Sequence, residues 1–183
     1  MKKLLFAAAF LLPFIASAQS TGPFNYKAED RYLYYGDVVN VDTSITVADL
    51  YKDAQLFIRK LGLADTKITT SDQTGGAVAV DISEPATFKT ATGIGYTPVT
   101  LQYSIKLELK KGRYRYTIDN ITVITTDKDN RKVTTTLYDL DKERRGGILG
   151  LGRDKRILKA MDALFLNKIE LLKNNMKTKP NDF

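Results

Sequence analysis

The chain has 183 residues, no cysteine, no histidine and a formal charge of +7. The absent histidines remove the commonest general base and metal ligand, and every Ser-His or Cys-His arrangement. The absent cysteines remove thiol chemistry, most zinc sites and any disulfide frame, so stability must come from apolar burial.

Residues 1–18 read as a secretory signal peptide. Lys2 and Lys3 supply the positive start, Leu4 to Ile15 a continuous apolar stretch, and Ala16-Ser17-Ala18 the small-residue cleavage site. The apolar stretch is shorter than the roughly 20 residues that span a bilayer, which disfavours a retained anchor, and no second one follows. Without cysteine there is no site for a lipid anchor at the cleavage point. The expected product is exported, periplasmic or extracellular, with no transmembrane segment. About 165 residues remain, suiting one domain over 31–176 between a flexible N-terminal tail (19–30) and a C-terminal tail (177–183). Loss of Lys2 and Lys3 lowers the charge to about +5, an excess that serves solubility or acidic partners.

"RYLYYGDVVNV" is dense in Tyr and Val and predicts a strand over 31–41, with Gly36 marking a bulge or break. The first helix is punctuated by Thr46 as N-cap, Asp49 three residues on and Gly62 at the end. Its apolar stripe is Val47, Leu50, Tyr51, Ala54, Phe57, Ile58 and Leu61. Two short strands near 67–71 and 76–83 flank the turn "DQTGG". The Thr-, Gly- and Pro-rich segment 84–98 lacks clear periodicity and reads as an irregular connection or a weak edge strand.

From Val99 the alternation is clean. Val99, Leu101, Tyr103, Ile105, Leu107 and Leu109 share one face, and Thr100, Gln102, Ser104, Lys106, Glu108 and Lys110 the other. A two-residue turn at Lys111-Gly112 sets Leu109 opposite Tyr114, Leu107 opposite Tyr116, Ile105 opposite Ile118 and Glu108 opposite Arg115. Beyond Ile118 the apolar phase slips to Ile121 and Val123, which predicts a bulge at Asp119-Asn120 that curves the sheet. The tyrosines of "RYRY" therefore fall on the buried face and the arginines on the open one. A single-strand nucleic-acid platform needs both on one accessible face, so no nucleic acid is expected as partner. The strand runs to about Thr126, turns at "DKDN" and returns over 131–138. A charged, glycine-rich connection then leads to a helix over 154–176 with the stripe Leu158, Met161, Phe165, Ile169, Leu172 and Met176.

The glycines at 146, 147, 150 and 152 fit no phosphate-loop fingerprint. Asp127, Asp129 and Asn130 lack the Gly and Glu of a calcium loop. There is neither a Gly-x-Ser-x-Gly elbow nor a Ser-x-x-Lys pair. No catalytic residue, cofactor or metal is therefore expected.

The residues "ITVADLYKDAQLFI", "SDQTGG" and above all "YSIKLELKKGRYRYTIDNITV" before a closing amphipathic helix carry a resemblance. The chain resembles, over roughly Val38 to Met176, the secreted bacterial domain-of-unknown-function family with a TATA-binding-protein-like fold. Phe57 stands where the family pattern often has tryptophan, and the chain has no Trp. The resemblance implies an α+β fold in β-α-β4-α order, a curved antiparallel sheet of five to six strands with two helices packed on one face. It implies no activity and no catalytic residues.

Two helices cover only one sheet face. The leading expectation is thus a non-enzymatic binding module whose open basic face, Thr100, Gln102, Ser104, Lys106, Arg113, Arg115 and Thr117, contacts an envelope protein or acidic glycan. The alternatives are carboxylate-based hydrolysis by pairs such as Asp139 with Asp141 or Asp127 with Asp129, and membrane-surface association through Ile148, Leu149 and Leu151.

Overall fold

The computed structural model describes residues 25–27, 32–62, 65–89, 95–127, 129–140 and 153–176. In chain order the elements are β1 (Asn25–Lys27), β2 (Tyr32–Asn40), α1 (Val47–Leu61), β3 (Asp65–Asp72), β4 (Ala77–Lys89), β5 (Tyr96–Lys110), β6 (Arg113–Thr126), β7 (Lys132–Thr136) and α2 (Arg153–Asn175). A helical turn over 137–140 follows β7. The strands form one antiparallel sheet in the order β1-β2-β6-β5-β4-β3, with β7 also paired to β6.

The first helix forms where its caps are. Thr46 is extended and its side chain accepts from the Asp49 backbone N–H at 3.2 Å, while the Asp49 carboxylate accepts from the Thr46 N–H at 2.9 Å. Gly62 ends the helix in the left-handed region at φ 61°. Between these caps Leu50, Ala54, Phe57 and Ile58 are buried. On α2, Leu158, Met161, Phe165, Ile169 and Leu172 do the same, with Met176 buried just beyond its end. Both stripes join one core with Val99, Leu101, Tyr103, Ile105, Leu107 and Leu109 of β5 and Tyr114, Tyr116 and Ile118 of β6. Each fully buried large apolar side chain contributes about 1.5–3 kcal/mol, so this shared layer fixes which sheet face the helices cover.

The β5–β6 register agrees with the alternation: Leu109 faces Tyr114, Leu107 faces Tyr116, Ile105 faces Ile118 and Glu108 faces Arg115. The bulge lies where the phase slips. Pairing jumps between Gln102 and Ser104, and Asn120 sits at φ 55°. The outer neighbour of β6 also changes there, from β2 along Arg113–Ile118 to β7 along Thr122–Thr126.

Three expectations change. The segment 84–98 is no irregular connection: β4 runs on to Lys89 and pairs with β5 from Ala77↔Glu108 to Lys89↔Tyr96. Ile82, Glu84, Ala86 and Phe88 keep the alternation, and it was hidden because Glu84 is a buried carboxylate in an apolar position. Gly36 is neither bulge nor break. It pairs in register with Thr117, and a Cβ there would meet the Tyr116 carbonyl oxygen and the Tyr34 ring, each at 3.0 Å. Within the expected N-terminal tail, Asn25–Lys27 forms a strand paired with β2, which with β7 brings the sheet to seven strands. The signal peptide, the C-terminal tail and Ile148, Leu149 and Leu151 lie outside the described residues.

Candidate functional site

The alternation along β5 and β6 sets Thr100, Gln102, Ser104, Lys106, Arg113, Arg115 and Thr117 on the sheet face away from the helices, where Gln102, Lys106, Arg113 and Arg115 are exposed. They do not converge on one point. Lys106 faces Thr117, but Thr100 faces Ile124, and Thr100 is about 33 Å along the strand from Lys110, the partner of Arg113. The face divides into three regions.

At the hairpin end Lys110 is directly opposite Arg113, a like-charge cross-strand pair that opposes pairing. A dimple of about 150 Å³ lies there, lined by Val38, Glu108, Lys110, Arg113, Tyr114 and Arg115. The hairpin tip is fixed. Gly112 at φ 70° accepts from Val41 N–H at 2.9 Å, donates to the Ile45 carbonyl at 3.2 Å and packs on Thr43.

In the middle, two cations are matched by carboxylates of the same face. Lys106 Nζ donates to Asp119 Oδ2 at 2.6 Å, and Arg115 Nη1 to Glu108 Oε2 at 3.1 Å. Asp119 is 4 % exposed at its side chain, and its other oxygen, Oδ1, has no hydrogen-bond partner among the described residues.

Beyond these pairs is a groove of about 750 Å³ between β3 and β6. Its centre is a relay: Asn120 Nδ2 donates to Ser104 Oγ at 3.3 Å, and Ser104 Oγ to Asp81 Oδ1 at 2.7 Å. Gln102, Thr122 and Lys67 also line it. Of these residues only Gln102 and Ser104 were expected. Asn120 was traceable through the phase slip, and Asp81 as a carboxylate between the apolar Val80 and Ile82.

Under the sheet lies a second polar constellation with no sequence signature. Tyr103 donates to Glu84 Oε1 at 3.0 Å, and Lys168 Nζ donates to Glu84 Oε2 at 3.1 Å. The Tyr35 phenol donates to Asp162, and both tyrosine rings pack against Phe165. Burial first, then the Asp162 hydrogen bond, pushes the Tyr35 phenol far above its ordinary range, and burial followed by the Glu84 charge does so for Tyr103. These phenols are neutral donors inside the core.

Of the other carboxylates singled out in the sequence, Asp127, Asp129 and Asp139 have local partners. Asp127 and Asp129 hold the Arg131 side chain at 3.0 and 2.9 Å, and Asp127 Oδ1 accepts from the Asp129 and Arg131 backbone N–H groups. These backbone bonds, chiefly that of Arg131, keep its carboxyl below the usual carboxylate range. Asp139 caps the turn after β7 by accepting from Thr136 Oγ1 at 2.6 Å. Asp141 lies outside the described residues. Among the described residues no cluster of three His, Cys, Asp or Glu side chains suits a metal ion, and no helix is long and apolar enough to cross a membrane.

The antiparallel sheet with its helices agrees in overall fold with known proteins. Residues 35–123 match the family model of a domain of unknown function with a TBP-like fold, DUF4468. The resemblance carried by the hairpin residues is borne out for family and fold. A crystal structure of a DUF4468 family protein from Bacteroides ovatus superposes with a TM-score of 0.58 at 16 % identity, covering 89 % of this chain and 95 % of that one. A TBP-like protein from Parabacteroides distasonis gives 0.57 at 13 % identity, covering 82 % and 97 %. Identities this low bear on the fold alone. No curated protein matches the chain.

Proposed function

We propose that this chain is an exported, non-enzymatic binding domain whose open sheet face contacts an envelope protein or an acidic glycan. The observation that carries the reading is the cationic end of the β5–β6 hairpin. Lys110 and Arg113 oppose each other across the strands, a placement that weakens the sheet unless an anion lies between them. The backbone of the tip is tied to Val41 and Ile45, so the strand ends that carry these cations are already in place and only the two side chains need ordering when a partner arrives. Arginine beside lysine suits carboxylate or sulfate oxygens, the arginine supplying a planar fork.

The test is a titration of the protein with a soluble polyuronate at low and high salt. Binding that weakens with salt and falls about tenfold or more in Lys110→Glu/Arg113→Glu is expected, since each lost charge-assisted contact is worth about 1.5–3 kcal/mol. Unchanged binding by the double variant would remove the cationic end from the reading. Lys106 is unsuited to this test because it neutralises the nearly buried Asp119.

Export is supported by Lys2, Lys3, the apolar stretch to Ile15 and the Ala16-Ser17-Ala18 site. Protein recovered from the cell envelope is expected to begin at Gln19 by N-terminal sequencing. Protein beginning at Met1 there would contradict it.

A further inference from the structure

We propose that the groove around the Asn120 bulge is a carbohydrate subsite that binds a neutral, hydroxyl-rich segment of a glycan; the inference rests on the open-face reading and gives that face a second specificity. Asn120 holds a left-handed backbone, φ 55°, where glycine is the unstrained choice. What asparagine adds is its amide, which donates to Ser104 while Ser104 donates to Asp81. That relay fixes two planar polar groups, an amide and a carboxylate, at a spacing set by one serine. Both residues are exposed, with hydrogen-bonding capacity beyond the relay: the second Asp81 oxygen, the Asn120 carbonyl oxygen and its other N–H. Side-by-side amide and carboxylate groups match adjacent hydroxyls, which donate to the carboxylate and exchange bonds with the amide. Exposed Gln102 and half-buried Thr122 extend the polar surface on the next cross-strand pair.

The lining disfavours other occupants. Asp65 and Asp81 against Lys67 do not make an anion site. Ile82 and Tyr103 are each only 2 % exposed, so they offer no apolar socket for a peptide side chain. About 750 Å³ is the size of a small-molecule site, larger than a single ion needs. The cationic hairpin end lies about 20 Å along β5 from Ser104, far enough that one extended glycan can place neutral sugars in the groove and an acidic group at Lys110 and Arg113.

The test is an array of neutral and uronate-bearing oligosaccharides probed with the full chain, followed by calorimetric titration with the best-retained neutral oligosaccharide. Retention of neutral glycans is expected, and Asn120→Gly and Gln102→Ala should each weaken it about tenfold, as for one lost hydrogen bond. The thermal midpoint of Asn120→Gly should be unchanged or higher, separating lost binding from lost folding. Lys110→Glu/Arg113→Glu should leave neutral-glycan affinity unchanged. Absence of neutral-glycan retention, or wild-type affinity in both groove variants, overturns the proposal. Retention of uronate-bearing glycans alone, abolished in the Lys110/Arg113 variant, would overturn the groove and leave the cationic end standing. Neutral binding without polyuronate binding would do the reverse.

Discussion

Lys106 and Arg115 each pair with a carboxylate on the open face, and burial separates the two pairs. Arg115 and Glu108 are 59 % and 63 % exposed, so water screens both charges and the pair contributes about 0–1 kcal/mol. Asp119 is 4 % exposed and Lys106 is its only ion-pair partner among the described residues. Lys106→Met is therefore expected to cost about 2 kcal/mol or more, the penalty of leaving a desolvated carboxylate without its cation, while Arg115→Met costs under about 1 kcal/mol. Chemical denaturation of the two variants checks the ranking, and equal losses would show that Asp119 gains little from Lys106. Tyr114 is the converse case. Its hydroxyl is buried without a hydrogen-bond partner among the described residues, and burial drives its phenol well above its ordinary range. Tyr114→Phe removes that hydroxyl and keeps the ring, so it should stabilise the fold by about 1 kcal/mol. A loss of stability on denaturation would mean that the hydroxyl has a partner in solution.

At the scale of elements, the turn glycines have unequal roles. Gly62 and Gly76 both have positive φ, 61° and 66°. A Cβ on Gly62 would meet only the Lys60 carbonyl oxygen at 3.9 Å, whereas one on Gly76 would lie 2.4 Å from the Leu109 carbonyl oxygen. Leu109 N–H also donates to the Gly76 carbonyl at 2.7 Å, so the β3–β4 turn is fastened to the end of β5. Gly62→Ala should cost about 1 kcal/mol, the price of a left-handed alanine. Gly76→Ala adds a backbone displacement and should cost about 3 kcal/mol or more. Comparable thermal midpoints would refute this difference. The same elements mark where local pattern suffices. Helix caps, the Lys111-Gly112 turn and the Asp119-Asn120 slip are short-range chemistry, and they were legible with their registers. The second half of β4 was not, because Glu84 and Pro85 break the apolar alternation in sequence. Glu84 fits there only because Tyr103 and Lys168, far away in the chain, satisfy its two oxygens. The candidate site divided in the same way. Alternation found Gln102 and Ser104, but Asp81 and Asn120 joined them only through strand pairing and side-chain hydrogen bonds.

At the scale of the whole molecule, the layer between sheet and helices holds four tyrosines, Tyr35, Tyr103, Tyr114 and Tyr116, whose phenols are all raised above the ordinary value of 10.0, chiefly by burial. The unfolded chain ionises its phenols near pH 10 while the folded chain keeps these four protonated, so above that pH the folded state binds more protons than the unfolded. Their contribution to stability is then fully present below about pH 10 and declines as pH rises further, each phenol removing up to about 1.4 kcal/mol per pH unit. Stability measured by denaturant titration at increasing alkaline pH should therefore show a steepening loss above pH 10. Tyrosinate absorbance from Tyr35, Tyr103 and Tyr114 should appear with unfolding and not before it. Tyr103→Phe isolates one phenol, since it leaves the Glu84–Lys168 pair in place: it should be less stable at neutral pH by the Tyr103–Glu84 hydrogen bond, and its alkaline slope should be shallower by about 1.4 kcal/mol per pH unit. Parallel slopes for the two proteins, or tyrosinate absorbance saturating while the fold is intact, would show that water reaches these phenols and that the helix layer is looser than its packing implies.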